Sequence, residues 1–203
     1  MIKRYNNKEL DKLAEILKNE GVISIPTDTV YGICASINSK KAYNKMLEIK
    51  NRPISKSFPV MCANKEEIAK IANINKVADI IISSFMPGPI TVVLPKKNNL
   101  PNYITNGKDT IAIRIAPSKD IQQLIIKTGN PLFMTSANQS GQPVCKTLEE
   151  IELSFPSLDG MLEGQPIYAE SSTIIDCTTN NIKILREGPI TLEDINKIIN
   201  KSN

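Results

Sequence analysis

The sequence contains no histidine among its 203 residues. This absence excludes Ser-His-Asp and Cys-His catalysis, the histidine-based metal motifs and the usual imidazole general base. The four cysteines form no C-x-x-C pair, which favours reduced, buried thiols over a zinc site or a set of disulfides. Any chemistry must therefore use lysine, arginine, carboxylates, hydroxyls, backbone dipoles or an external metal ion.

Long hydrophobic runs are also missing. The longest apolar stretches are far shorter than a membrane span, and the first residues lack the apolar core of a signal peptide. We therefore expect a cytoplasmic protein with no membrane partner. A length of 203 residues, with 41% hydrophobic and 23% charged residues, predicts one globular domain over residues 1–203. The net charge of +4 is a weak indication of an anionic partner.

The sequence has neither a G-x-G-x-x-G loop nor a P-loop, and its predicted strands and helices alternate too irregularly for a Rossmann fold. The predicted class is a single α/β domain, with a twisted mixed sheet flanked by helices around a basic concave site.

Residues 24–32, S-I-P-T-D-T-V-Y-G, form the first motif. A short buried strand over residues 22–25 is predicted to end at Pro26, which has no N–H to give to a neighbouring strand. The following turn places Thr27, Asp28, Thr29 and Tyr31 at the strand end. Such hydroxyls can form a binding site or simply form the turn.

A helix predicted over residues 40–49, with Ser39 as its N-cap, precedes a pair of cations. Because Pro53 restricts the residue before it, we expect Lys50 and Arg52 in extended backbone, on the same side and roughly 7 Å apart. This spacing suits two oxygens of a polyphosphate. The alternative is that both cations complement the helix dipole. Lys56, in the next loop, is either a third phosphate ligand or a solvated lysine.

Two predicted strands present further polar groups. The alternation over residues 110–115 places Thr110 and Arg114 on one face, where the arginine requires an anion from the protein or from a substrate. A short buried strand over residues 131–134 leads into T-S-A-N-Q-S-G, residues 135–141. Its small hydroxyl and amide groups suit close contact with a nucleotide, although an ordinary Asn/Gly loop would have the same composition.

Together these motifs resemble the YrdC/Sua5 family of threonylcarbamoyl-AMP synthases. The resemblance begins at P-T-D-T-V-Y-G and K-N-R-P and continues through M-P-G-P-I-T, S-A-N-Q-S-G, S-T-I-I-D and I-L-R-E-G. Met86 stands where the family has tryptophan. The match covers nearly the whole chain, without the additional C-terminal domain of longer Sua5 proteins.

The resemblance implies that L-threonine, bicarbonate and ATP give threonylcarbamoyl-AMP and pyrophosphate. Mg²⁺ would enter with ATP, without a site made by protein ligands alone. A separate transferase complex would then use the product to modify adenosine 37 of tRNA. The implied ATP-binding residues are Lys50, Arg52, Lys56, Thr110, Ser136, Asn138 and Arg186. The implied threonine-binding residues are Thr29, Arg114 and Ser172. No residue is assigned as a general base.

Two other classes of function stay open on the sequence. A non-catalytic double-stranded RNA-binding module would use the basic cavity and bind RNA in a salt-dependent way. A sugar-phosphate enzyme of the related dihydroxybutanone-phosphate synthase fold would need an acidic, histidine-containing site, which this sequence lacks.

Overall fold

The computed structural model describes residues 1–167 and 171–201, whose strands form one ten-stranded sheet. The strands are β1 (Arg4–Tyr5), β2 (Ile23–Pro26), β3 (Tyr31–Ser36), β4 (Val60–Met61), β5 (Ile90–Pro95), β6 (Thr110–Arg114), β7 (Leu132–Ser136), β8 (Gly160–Leu162), β9 (Thr173–Asp176) and β10 (Lys183–Arg186). The helices are α1 (Leu10–Lys18), α2 (Lys40–Ile49), α3 (Lys65–Ile71), α4 (Lys76–Phe85), α5 (Asn102–Thr105), α6 (Lys119–Thr128), α7 (Leu148–Ser154) and α8 (Leu192–Lys201). None of these helices is long and apolar enough to cross a membrane.

The order of strands across the sheet is β1-β8-β2-β3-β7-β4-β6-β5-β9-β10. Parallel pairs join β1 to β8, β8 to β2, β4 to β6 and β5 to β9, whereas the other neighbours run antiparallel. The predicted class, a single α/β domain with a mixed sheet flanked by helices, is confirmed. In the folded chain the end of β6 meets the turn after β2, where Arg114 contacts Asp28, although the two segments are distant in sequence.

Side chains alternate between the two faces of the sheet along each strand. Both faces are covered, and two apolar clusters form the core. On β3, Ile33 packs in the larger apolar cluster and its neighbour Cys34 packs in the smaller one. Helices α1 and α6 supply leucines and isoleucines to the smaller cluster. The larger cluster contains an aromatic group in which the Phe133 ring lies 5.2 Å from Tyr43 and 6.1 Å from Phe58, between ring centroids.

Helix α2 begins and ends where the sequence predicts. The Ser39 hydroxyl accepts the Ala42 N–H and caps the first turn. The predicted extended backbone, however, is wrong at Lys50. Lys50 is helical (φ −89°, ψ −5°), Asn51 is left-handed (φ 46°), and the Arg52 N–H donates to the Leu47 carbonyl. Pro53 restricts only the residue before it, Arg52. The chain after the helix can therefore form a Schellman-type turn, in which backbone N–H groups bond to the last carbonyls of the helix.

Removal of the Phe133 ring tests the packing at the centre of the sheet. Phe133 is fully buried on β7, which pairs with both β3 and β4. We expect Phe133→Ala to lower the free energy of unfolding by about 3–5 kcal/mol, because the change leaves a cavity. Urea denaturation measures this loss. Leu153→Ala, at a residue that is 85% exposed, is the control and should change stability by less than about 0.5 kcal/mol. Equal effects would contradict the described core.

Candidate active site

A cavity of about 200 Å³ lies where the ends of several strands meet. The turn after β2, strands β3 to β7, and strands β9 and β10 contribute residues to its lining. Arg52, which follows α2, also belongs to the lining. Among the described residues, the charged groups in the lining are the three arginines Arg52, Arg114 and Arg186. Hydroxyl groups from threonine and serine surround them. Guanidinium groups beside hydroxyls are suited to bind an anionic, hydrogen-bonding ligand.

The turn after β2 is held together by the Thr27 hydroxyl. This oxygen accepts the N–H groups of Thr29 (3.0 Å) and Val30 (3.2 Å), and its own proton goes to the Val30 carbonyl (2.6 Å). The Thr29 hydroxyl lies 3.0 Å from it and lines the cavity. The turn is therefore a rigid hydrogen-bonded unit that fixes the position of Thr29.

Arg114 is buried at the end of β6 and lines the cavity. Its Nη2 donates to Asp28 Oδ2 at 2.5 Å, its Nη1 to Thr29 Oγ1 at 3.2 Å, and its Nε to the Gly88 carbonyl at 2.9 Å. Burial lowers the pKa of Arg114, and the Asp28 carboxylate opposes that shift. Of the two anions left open by the sequence, the structure thus shows the protein carboxylate, and the guanidinium still reaches the cavity wall.

Thr91, Ser172 and Arg186 form a second group of polar side chains in the cavity lining. Thr91 Oγ1 lies 3.0 Å from Ser172 Oγ, and Arg186 Nη2 donates to Ser172 Oγ at 3.1 Å and to the Ser172 carbonyl at 2.6 Å. Burial lowers the pKa of Arg186. Sequence reasoning missed Thr91 as a cavity residue, although it ends the M-P-G-P-I-T motif. The predicted threonine-binding residues Thr29, Arg114 and Ser172 therefore line one cavity.

Lys50 lies behind the cavity wall and outside its lining. It is only 1% exposed, and its ammonium donates to the Ser136 carbonyl, to the Asn138 carbonyl at 2.7 Å and to Asn138 Oδ1 at 3.4 Å. Burial lowers the pKa of Lys50 to about 7. In this structure the lysine joins the end of α2 to the segment after β7.

The segment after β7 bonds back to the same helix end. The Ser140 N–H and hydroxyl both donate to the Lys50 carbonyl, and Gln139 Nε2 donates to the Ile49 carbonyl at 2.9 Å. Ser136 lines the cavity and donates its hydroxyl proton to Asn138 Oδ1 at 2.6 Å, whereas Asn138 lies outside the lining. The S-A-N-Q-S-G segment therefore caps α2 as well as forming part of the wall.

The other predicted ATP-binding residues differ in position. Arg52 lines the cavity, where its Nε and Nη2 donate to the carbonyls of Lys56 (2.8 Å) and Ser57 (2.9 Å). Lys56 itself is exposed and outside the lining. Thr110 begins the strand that Arg114 ends, so it lies away from the cavity. The structure thus brings Arg52, Ser136 and Arg186 to the cavity, and Lys50, Asn138, Lys56 and Thr110 lie apart from it.

The sequence and the fold match a known family of proteins. A family model for Sua5, YciO and YrdC proteins, described as "Telomere recombination", matches residues 15–188. The threonylcarbamoyl-AMP synthase of Yersinia enterocolitica is 34% identical over 195 residues, which cover 93% of this chain and all of that protein. A putative threonylcarbamoyl-AMP synthase of Methanocaldococcus jannaschii is 36% identical over 203 residues, 96% of each chain.

Solved structures give the same result. P. abyssi Sua5 complexed with L-threonine matches with a TM-score of 0.91 and 29% identity, covering 98% of this chain and 61% of that one. The present chain thus spans about three fifths of the P. abyssi protein. E. coli YciO, at 23% identity and a TM-score of 0.88, shares the fold over 96% of this chain and all of its own. The chain belongs to the Sua5/YciO/YrdC family.

The buried contacts of Lys50 predict a structural effect of its replacement. Lys50→Met keeps the aliphatic volume but leaves the carbonyls of Ser136 and Asn138 without their donor. We expect the free energy of unfolding at pH 7 to fall by about 1–3 kcal/mol, the penalty for unpaired buried acceptors. Lys56→Met, at an exposed lysine, is the matched control and should change stability by less than about 0.5 kcal/mol. Denaturant unfolding of both variants measures the difference.

A comparison of the parent protein with Lys50→Met at several pH values tests the protonation of Lys50. Its pKa of about 7 in the folded chain is below the ordinary value of 10.5, so the unfolded chain holds more protons between these pH values. The stability contributed by this residue should therefore rise with pH across that window. The stability difference between the parent and Lys50→Met should grow by up to about 1.4 kcal/mol per pH unit. A difference independent of pH would show that the three oxygen acceptors keep the ammonium charged.

Proposed function

We propose that this protein is an L-threonylcarbamoyladenylate synthase, which forms threonylcarbamoyl-AMP and pyrophosphate from L-threonine, bicarbonate and ATP. The observation that carries the proposal is the convergence of Thr29, Arg114 and Ser172 with Arg52 and Arg186 on one cavity. The names of the relatives and the L-threonine complex of P. abyssi Sua5 support it.

The amino acid is proposed to bind on the side of the cavity formed by the turn after β2 and by β6. Arg114 is the partner for its carboxylate, because a planar guanidinium can donate two parallel N–H groups to that anion. The hydroxyls of Thr29 and Ser172 are the partners for its polar groups. Buried hydroxyls of this kind select for a substrate hydroxyl, since a substrate without one leaves them unpaired.

The nucleotide is proposed to occupy the part of the cavity lined by Arg52, Ser136 and Arg186. In the proposed arrangement, Lys50 and Asn138 support the wall from behind, and Lys56 and Thr110 would contact ATP only where it extends beyond the cavity. The described residues contain no cluster of three or more His, Cys, Asp or Glu side chains that could hold a metal. We propose that Mg²⁺ enters with ATP, bound to its phosphates as part of the substrate complex.

The reaction can proceed by positioning and charge neutralisation. The threonine amine, in its neutral form, attacks the carbon of bicarbonate; a C–N bond forms, water leaves, and a carbamate anion results. A carbamate oxygen then attacks the α-phosphorus of ATP, and the bond to the β-phosphate oxygen breaks to release pyrophosphate. The proposed role of Arg52 and Arg186 is to neutralise charge that develops on the phosphates. The carbamate is itself the nucleophile of the second step, so that step requires no protein base.

The product is a reactive mixed anhydride that needs an acceptor. We propose that it passes, in the cytoplasm, to a separate transferase complex that modifies adenosine 37 of tRNA. The names of the relatives support the product, threonylcarbamoyl-AMP, that this later step would consume. Weak direct binding of RNA is compatible with the arginine-rich cavity, and the assay below separates it from catalysis.

Pyrophosphate release with different amino acids tests the proposed substrate. In the presence of bicarbonate and ATP, L-threonine should be preferred to L-valine by about 10⁴-fold or more in kcat/KM, because valine leaves the site hydroxyls unpaired. L-Serine keeps the hydroxyl and loses one methyl group, so it should be disfavoured by only about 1–3 kcal/mol. Equal turnover of threonine and valine would remove threonine as the substrate. Salt-sensitive RNA binding without any turnover would favour the RNA-binding alternative.

The assignment of Arg114 is tested by a substitution that keeps the charge. Arg114→Lys loses the planar fork, so the KM for L-threonine should rise about tenfold or more while the KM for ATP changes little. Arg52→Lys is the matched control, and its effect should fall mainly on the KM for ATP. Steady-state pyrophosphate release, with each substrate varied in turn, gives both constants. The opposite pattern would exchange the two assignments.

A further inference from the structure

Asp28 is not part of the cavity lining, but its carboxylate contacts Arg114, which is. Asp28 is 1% exposed and Arg114 is 6% exposed, and their side chains approach to 2.5 Å. A pair this deeply buried contributes little to stability by itself, since the desolvation of both charges offsets their attraction. The pair therefore calls for an explanation other than stability.

Within the part of the chain that the structure describes, one oxygen of this carboxylate has no hydrogen-bond donor. Asp28 Oδ2 accepts from Arg114, whereas Asp28 Oδ1 is buried and has no hydrogen-bond partner among the described residues. A carboxyl group with a purely structural role is expected to have both oxygens bonded, because an orphaned buried acceptor is destabilising. Asp28 is thus placed so that its carboxylate contacts Arg114, even though its second oxygen is left without a donor among the described residues.

The backbone that carries Asp28 is held rigidly. Thr27 Oγ1 bonds to the N–H groups of Thr29 and Val30, so the residues on both sides of Asp28 belong to one closed turn. Arg114 is held equally well, since β6 pairs with both β4 and β5. The carboxylate and the guanidinium are therefore brought together by two independently fixed elements.

The contacts of Arg114 leave a specific set of donors. A guanidinium has five N–H groups, and the described residues accept from Nε, once from Nη1 and once from Nη2. One N–H on each terminal nitrogen then has no acceptor among the described residues. Two N–H groups on adjacent nitrogens are what two-pronged recognition of a carboxylate requires.

We propose that Asp28 is a positioning residue for amino-acid recognition, which fixes the rotation of the Arg114 guanidinium so that one N–H of each terminal nitrogen meets the substrate carboxylate. This inference rests on the proposed function, because it assigns the amino-acid carboxylate to Arg114. It adds a residue that acts on the amino acid only through Arg114. Without the carboxylate, the guanidinium keeps its contacts with Gly88 and Thr29 but loses the partner that orients Nη2.

The test is a double-mutant cycle on the amino-acid constants. Asp28→Asn keeps the shape of the side chain and removes its charge, and we expect it to raise the KM for L-threonine about tenfold, the scale of one charge-assisted hydrogen bond, with the KM for ATP nearly unchanged. In the Arg114→Lys background the same change should have little further effect, because Asp28 acts through the fork that lysine lacks. A general structural defect would instead raise both KM values or act additively.

The control removes another unsatisfied buried group far from the cavity. Thr128 on α6 has a buried hydroxyl without a partner among the described residues, so Thr128→Val should leave both KM values unchanged. Thermal melting verifies that each variant is folded. If Asp28→Asn fails to fold, Asp28→Glu replaces it: the retained but displaced carboxylate should raise the KM for L-threonine selectively.

The outcomes separate this inference from the proposed function. If the parent protein releases pyrophosphate only with L-threonine, and Asp28→Asn leaves the KM for L-threonine unchanged or combines additively with Arg114→Lys, the positioning role is wrong and the function stands. If the parent releases no pyrophosphate in response to any amino acid, the proposed function itself fails. Selective, non-additive loss of threonine affinity supports both.

Discussion

The structure around the cavity depends on how the protein compensates two basic side chains that are buried away from water. Arg114 and Lys50 are both almost inaccessible to water, and an isolated charge in such a place would be very costly. The two side chains have different compensating partners. Arg114 has a carboxylate partner, Asp28, on the turn after β2, whereas Lys50 has oxygen acceptors in the segment after β7. Each cation thereby ties together segments far apart in sequence, and the cavity lies between them.

This arrangement suits a chain without histidine. The proposed reaction, nucleotidyl transfer, requires orientation of the reacting groups and neutralisation of developing charge more than it requires a protein base. Arginine is well suited to both tasks because its charge persists even when burial lowers its pKa, as it does for Arg114 and Arg186. Lysine titrates more readily in such surroundings. It is consistent with this difference that arginines line the cavity while Lys50 lies behind its wall.

The family comparison separates what the fold supplies from what the residues supply. E. coli YciO shares the fold over its whole length at 23% identity, so the fold alone assigns no activity. The proposed function depends on particular side chains in the cavity, and relatives above 30% identity that match nearly the full length support it. The P. abyssi protein, of which this chain spans 61%, shows that the same domain also occurs within a longer chain.

Local patterns in the sequence determined the features whose causes are local. Ser39 caps α2 through its own side chain, and the mixed α/β class follows from the irregular alternation of strand and helix patterns. The sequence motifs also identified Thr29, Arg114 and Ser172, which do line one cavity. Only the tertiary structure decided that Lys50 lies outside the lining of that cavity and that Asp28 is the partner of Arg114. A buried cation takes whichever acceptors the packing brings within reach, and here those acceptors lie more than eighty residues away in the chain.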